Sequence, residues 1–484
     1  MSIWKRKPLH VLLSEASESE KGLKRTLSSR ALVALGIGAI IGAGLFSLTG
    51  IAAAEHAGPA VTISFVLAAV GCGFAGLCYA EFASMIPVAG SAYTYSYATM
   101  GEFMAWIIGW DLVLEYALGA ATVGVSWSKY LLELFNKLGI HIPPEFTCSP
   151  WETITLGDGT VLEGGIINLP AIFIVMLLSL LLIRGTKESA TMNNILVVLK
   201  VAVVILFIAI GWGFINEANY DPYIPANTGV KGEFGISGIA AGAATVFFAF
   251  IGFDAVSTAA QEAKNPQKGM PIGILGSLVI CTILYVLFAH VMTGLVPYHV
   301  FAGDAKPAAT AFAVTGYDFL QTGLIVAILA GYTSVILVML MGQSRVFYSM
   351  SNDGLLPKFF SDVHPKFRTP WKTNIFFMVF VSLFAGFVPV SDLGHMVSIG
   401  TLLAFSLVCI GVLIMRKKMP DAPRSFRAPL VPFVPVMGVI VCVYLMYSLP
   451  AESWLRLIIW IALGVVIYFV YGKKNSTLKN EDAA

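Results

Sequence analysis

Apolar residues in this chain come in runs of about twenty, long enough to cross roughly 30 Å of hydrocarbon as helices, with short polar or proline-containing breaks between them. Windows of that length place twelve spans near residues 31–54, 59–86, 103–133, 167–183, 190–215, 236–260, 271–295, 319–350, 373–388, 394–415, 429–449 and 453–472. The pattern predicts an all-α integral membrane protein of twelve transmembrane helices. The third span exceeds a perpendicular crossing, so it tilts or projects from the bilayer. The outer loop 136–166 carries "TITLGDGTVLEGG", turn glycines between β-prone pieces, which predicts a small surface hairpin.

Basic residues orient the bundle. With the N-terminus inside, 24 of the 30 lysines and arginines fall on the cytoplasmic side, five (Lys129, Lys137, Lys231, Lys306, Arg456) fall outside, and Lys200 lies deep in the fifth span. Both termini are therefore expected in the cytoplasm of a cell-membrane protein whose lipid is its solvent. The net charge of +2 follows this topology and gives no sign of a nucleic-acid partner. The polar, basic first 30 residues are unlike a secretory leader. Of six cysteines only Cys148 lies outside the spans, in an outer loop, so neither a disulfide framework nor zinc spacing is present. No phosphate-binding loop, metal site or nucleophile constellation points to an enzyme, and no cofactor is expected.

Glycine is the next signal. The first span reads "LGIGAIIGAGLFSLTG", with Gly36, Gly38, Gly42 and Gly44 interrupting a helix at about 1 kcal/mol each relative to alanine. Five spans later "GAATVFFAFIGFDAV" is interrupted at Gly252 and followed by Asp254. Two broken spans in equivalent places predict a 5 + 5 inverted repeat, residues 31–218 and 236–415. Spans eleven and twelve (429–472) lie outside it, between a cytoplasmic segment 1–30 and a tail 473–484. Unwinding a helix in lipid frees N–H and C=O groups at several kcal/mol each unless something binds them. A zwitterion satisfies both, its carboxylate at freed amides and its ammonium at freed carbonyls. Close helix packing through Gly38 and Gly42 is the alternative reading of "GAIIG"; the doubled glycine of "GAG" and the second broken span weigh against it. At 1.5 Å per residue, Gly42, Glu115 and Lys200 sit about 15–18 Å deep, with Gly252 also central.

The stretches "GIGAIIGAGLF", "YAEFASMIPVAGSAYTYSY", "GWDLVLEYALG", "NNILVVLK", "FFAFIGFDAVSTAAQEAKNPQKGMP" and "QSRVFYSMSNDGLLP" resemble the amino acid, polyamine and organocation superfamily from about residue 25 to 472. "WDLVLEY" and "SRVFYSMSNDGLLP" are most similar to its cationic amino acid transporter branch, and room for twelve spans rather than fourteen points to the bacterial type. The resemblance implies the leucine-transporter type of fold, with broken first and sixth helices. It implies a substrate site at Ile40, Ile41, Gly42, Ala43, Gly44, Phe248, Ile251 and Gly252. There the carboxylate would meet the amides of Ala43 and Gly44, and the ammonium the carbonyls of Ile40, Phe248 and Ile251.

The charges inside the membrane follow from the same comparison. In proton-coupled relatives a lysine of span five occupies the place that sodium takes elsewhere, and Lys200 fits that description. A bilayer-centre ammonium costs at least about 2.5–3.5 kcal/mol, so Lys200 must face protein. Glu115, four residues after Asp111 on one helical face, pairs with that lysine, lines the substrate path or exchanges a proton. Asp254 resembles a gating or proton-linked carboxylate of relatives and equally suits an N-cap. Glu81 and Arg345 read as parts of an inner charge network, His290 as a packing histidine, and Met339 as a residue that narrows the side-chain pocket.

The expected function is proton-coupled uptake of L-amino acids by alternating access, with obligate amino acid exchange as the alternative. A third reading is a permease subunit that needs a partner, because related light-chain carriers bond an accessory glycoprotein through a cysteine in the loop that holds Cys148. The preferred amino acid stays open.

Overall fold

The computed structural model describes residues 3–8, 11, 27–86, 91–155, 161–185, 190–258, 260, 263–304 and 306–478. Its principal helices are α1 (Ser29–Ile40), α2 (Val61–Met85), α3 (Glu102–Lys137), α4 (Leu169–Arg184), α5 (Ala190–Gly211), α6 (Gly235–Val246), α7 (Pro266–Leu295), α8 (Asp318–Asn352), α9 (Trp371–Phe387), α10 (Val390–Lys418), α11 (Phe433–Ser448) and α12 (Ala451–Ile467). Among the described residues, eight helical stretches are long and apolar enough to cross a membrane, and four shorter apolar helices (α1, α4, α9, α11) accompany them.

Helix starts follow local chemistry. The Ser28 hydroxyl accepts from Ala31 N–H, and the Asn168 side chain accepts from Ala171 N–H at 3.1 Å. Asn265 caps α7 by accepting from Lys268 N–H, with Pro266 in the first turn where no N–H is needed. Gly58 (φ +60°) and Pro59 turn the chain from the helical stretch 44–57 into α2.

The helices pair in a regular way. α2 lies along α7, α3 along α8 and α4 along α9. α1 packs on α7 as α6 packs on α2, and α5 packs on α8 as α10 packs on α3. Adding or subtracting five exchanges each pair with its counterpart. α11 leans on α10, while α12 is tied to α3 by reciprocal bonds: Trp110 Nε1 donates to Trp460 O (2.9 Å) and Trp460 Nε1 to Trp110 O (3.1 Å).

The outer hairpin is present, Thr153–Thr155 pairing antiparallel with Val161–Glu163. Among the described residues, the α-helices Ser91–Thr99 and Pro307–Ala313 are longer than one turn and have no counterpart among the expected spans. The first, "SAYTYSYAT", is buried throughout but alternates tyrosine with small residues, so it lacks the long apolar run that marks a span. Residues 3–5 add main-chain caps to α3, with Phe103 N–H donating to Ile3 O and Glu102 N–H to Lys5 O.

Candidate functional site: two broken helices and the groups around them

Both helices break where glycine predicted. α1 ends at Ile40; Ile41 is extended (φ −69°, ψ 107°), and the chain resumes as a π-helical turn, Gly44–Leu48. Leu45 and Phe46 N–H both reach the Gly42 carbonyl, at 3.2 and 3.3 Å. α6 tightens into a 3-10 turn, Phe247–Phe250, and opens at Ile251 (φ −61°, ψ 136°) and Gly252 (φ +116°) before a helical turn at Ala255–Thr258. Residues 40–44 and 247–254 are buried.

The two breaks lie backbone against backbone. A Cβ on Gly44 would stand 2.2 Å from the Cα of Ala249, and one on Gly252 would stand 2.8 Å from the Ala39 oxygen. Gly44 is therefore required by close approach, and Gly252 by approach and by its positive φ. Gly42 differs, since a Cβ there would meet Val335 at an ordinary 3.4 Å.

The freed carbonyls are held by side chains. Tyr285 of α7 donates to Ile40 O (3.0 Å) and to Ala249 O (2.9 Å), and a phenol with one proton serves one of them at a time. Lys200 of α5 is buried and donates to Gly38 O at 2.6 Å, with Gly331 of α8 leaving room for its stem. Tyr130 of α3 donates to Phe46 O at 2.6 Å. The Phe248 carbonyl accepts from Ile251 N–H at 3.2 Å, which leaves one lone pair.

A second group of polar side chains lies beyond the α6 break. Asp254 accepts from Tyr116 OH (2.6 Å) and Ser91 Oγ (3.4 Å), and its carboxyl meets both Ala255 N–H and Glu115. Glu115 in turn lies beside Thr401 of α10. The expectation that left Glu115 free to pair with Lys200 is corrected here: α3 presents Glu115 to Asp254 and α10, whereas α5 presents Lys200 to α1 and α8. As carboxylates, Glu115 and Asp254 have no donor for each other; their contact becomes a hydrogen bond only when one holds a proton. Asp254 thus stands at the start of the helical turn Ala255–Thr258 and beside a second carboxyl. No group of three His, Cys, Asp or Glu among the described residues converges on a metal-sized point.

The remaining sequence candidates fall into place. Met339 is buried on α8 opposite Gly119 of α3, where a Cβ would stand 2.9 Å from its sulfur. Glu81 is fully buried and gripped by Arg416 (2.7 and 2.8 Å), Arg424 (3.3 Å) and Ala428 N–H (2.8 Å), so its partners come from the last turn of α10 and the α10–α11 connection, while Arg345 is exposed. His290 stacks on Tyr220 at 4.8 Å as a packing histidine. Cys148 is buried, its thiol directed at Pro144 O (3.4 Å) and covered by Gly165. Sequence reasoning passed over Tyr285 and Tyr116; the available signal was a hydroxyl in mid-span, which lipid cannot satisfy.

A family model for amino acid permeases matches residues 27–472, nearly the whole bundle just described. The chain belongs to the amino acid permease family. The permease is 46% identical to the branched-chain amino acid permease BcaP of Bacillus subtilis, over 99% of each chain. It is 43% identical to the methylthioribose transporter of the same organism, again over 99% of each. It is 31% identical to the vacuolar cationic amino acid transporter 4 of Arabidopsis thaliana, over 99% of this chain and 97% of the plant protein. The superfamily resemblance in the motifs is thus established, and the permease is a multi-pass membrane transporter rather than an enzyme.

Proposed function

We propose that the permease imports neutral L-amino acids with branched apolar side chains across the cell membrane, driven by the proton gradient. The observation that carries this reading is the contact of two broken helices, backbone against backbone, at Gly44 and Ala249, both buried. The amides of Ala43 and Gly44 take the carboxylate, the carbonyls of Ile40, Phe248 and Ile251 take the ammonium, and Ile41, Gly42 and Gly252 let the backbone approach. Met339 narrows the pocket for the side chain. Phe248 and Phe250 give an apolar setting, and the name of the BcaP relative points the same way.

Proton coupling rests on two places. Lys200, when charged, holds Gly38 O and steadies the first break; when neutral it donates more weakly, loosens that hold and biases the inward–outward equilibrium. Glu115 and Asp254 share a proton beyond the second break. The chain crosses twelve times with both termini cytoplasmic, as the lysine and arginine distribution favours, and a 5 + 5 inverted repeat over 31–218 and 236–415 is supported by helix pairings that exchange on a shift of five.

The test is reconstitution of the purified chain alone. A pH gradient, acid outside, drives accumulation of isoleucine, leucine or valine into empty vesicles. Uptake that instead requires internal amino acid makes the permease an exchanger, and uptake only with an added subunit overturns independent transport. Methylthioribose has neither carboxylate nor ammonium, so an excess of it leaves isoleucine uptake unchanged; competition would move the substrate class toward that of the B. subtilis methylthioribose transporter.

A further inference from the structure

Among the described residues, Asp111 is a buried carboxyl that nothing above uses. It lies one helical turn from Glu115 on the same face of α3, 1% exposed, and neither of its oxygens has a hydrogen-bond partner. It faces α10, where a Cβ on Gly400 would stand 3.2 Å from Oδ1. A second unpartnered group lies on the neighbouring helix α8. Gln343 of α8 is fully buried with both amide atoms unbonded. It sits on the stripe that faces α3, between Met339 opposite Gly119 and Met350 opposite Gly109. Buried polar atoms without partners each cost about 1–3 kcal/mol, which a bound proton or an ordered water would offset. A metal ion is the other occupant to consider, and the carboxyls do not converge on one point as its ligands must.

The direction of the ladder is informative. From Glu115, which meets Asp254, to Asp111 the carboxyls step along α3 toward its start, about 6 Å for the four residues. There Tyr93 packs against Gly109 and donates to Asp353 Oδ2 at 2.6 Å, and Asp353 is paired with Lys7 of the N-terminal segment at 2.7 Å. Glu115 on its own helix is a charged group that faces Asp111, with Gly400 of α10 in contact and Thr401 of α10 lying beside Glu115.

We propose that Asp111 carries the coupling proton between the Glu115–Asp254 pair and the cytoplasmic face, with Gln343 orienting the water that links them. This rests on the proton-coupled reading above. Both oxygens of Asp111 accept, so it takes a proton from Glu115 and releases it to water on the inner side; no bond other than O–H forms or breaks.

The experiment compares wild type, Asp111→Asn and Asp111→Glu in vesicles that hold a pH-sensitive dye. Wild type shows pH-driven isoleucine accumulation with acidification of the lumen. Asp111→Asn loses both by about tenfold or more while isoleucine counterflow, which moves no net proton, persists; Asp111→Glu restores accumulation. Accumulation by the Asn variant at the wild-type rate overturns the relay and leaves the coupled reading intact. Loss of counterflow in both variants assigns Asp111 to the exchange step itself and also overturns it. Wild type without pH-driven accumulation removes the coupled reading, and the relay falls with it.

Discussion

Gly42 and Gly44 lie two residues apart in one break, yet the structure gives them different reasons to be glycine, and alanine at each separates the reasons. At Gly44 a methyl would stand 2.2 Å from Ala249 Cα, 2.5 Å from its nitrogen and 2.6 Å from its Cβ. Ordinary contact begins near 3.4 Å, so the backbones must part by about 1.2 Å. No flexible side chain is available to yield. Overpacking of this kind costs about 1–3 kcal/mol, and here it pries apart the two breaks themselves. At Gly42 the methyl meets Val335 at 3.4 Å, and neither packing nor a positive φ excludes it. Gly44→Ala should therefore lower Tm in detergent and abolish isoleucine uptake. Gly42→Ala should keep the wild-type Tm but cut uptake by on the order of a hundredfold, because a substrate carboxylate held at the neighbouring amides is displaced by about 1 Å. Thermal unfolding and initial uptake rates decide the matter. An unchanged Tm for Gly44→Ala refutes the crossing as described, and wild-type uptake by Gly42→Ala refutes the approach of the substrate backbone.

Four further outcomes are expected. Lys200→Gln loses pH-driven uptake, since the charged hydrogen bond to Gly38 O, of a kind worth about 1.5–3 kcal/mol, is gone; full coupling in that variant removes Lys200 from the mechanism. Tyr285→Phe leaves both the Ile40 and the Ala249 carbonyls without their donor and lowers Tm; because only one bond forms at a time, the loss stays near the 1–3 kcal/mol of about one buried orphan, and an unchanged Tm means water replaces the phenol. Met339→Ser shifts competition for uptake toward larger side chains, and an unchanged ranking counts against its role in the pocket. Burial pushes the Cys148 thiol up, so less thiolate forms at pH 8, and a membrane-impermeant maleimide added from outside labels it slowly until the protein is denatured; rapid labelling would return Cys148 to consideration as an anchor for a partner.

Much of this architecture was legible because lipid allows few solutions: runs of about twenty apolar residues can only be helices, and glycines within them can only mark packing or unwinding. Both breaks were found at the residues that signalled them, Ile41 to Gly42 and Ile251 to Gly252. Partners across the bundle were another matter. Glu115 and Lys200 share a depth, and depth alone suggested a pair; only the azimuth of each side chain around its helix separates them, and a one-dimensional estimate carries no azimuth. Glu81 shows the same limit, since its arginines come from residues 416 and 424, more than 330 positions along the chain. The Ser91–Thr99 helix was hidden because burial by protein, unlike burial by lipid, needs no long apolar run.

On the proton-coupled reading, the separation of Lys200 from Glu115 changes how coupling works. Had the two formed one ion pair, a proton reaching the carboxylate would have released the lysine directly. Instead Lys200 acts on the backbone of the first break, through Gly38, while the carboxyls sit beyond the second, through Asp254 and Ser91. What joins them is main chain: Gly44 against Ala249, Ala39 against Gly252, and Tyr285 shared between the Ile40 and Ala249 carbonyls. On the proposed reading, a change of protonation at either place is felt at the other only by moving those backbones, which are also the substrate's ligands. Substrate and proton are then coupled because they act on the same few peptide groups, without any direct contact between the titrating side chains.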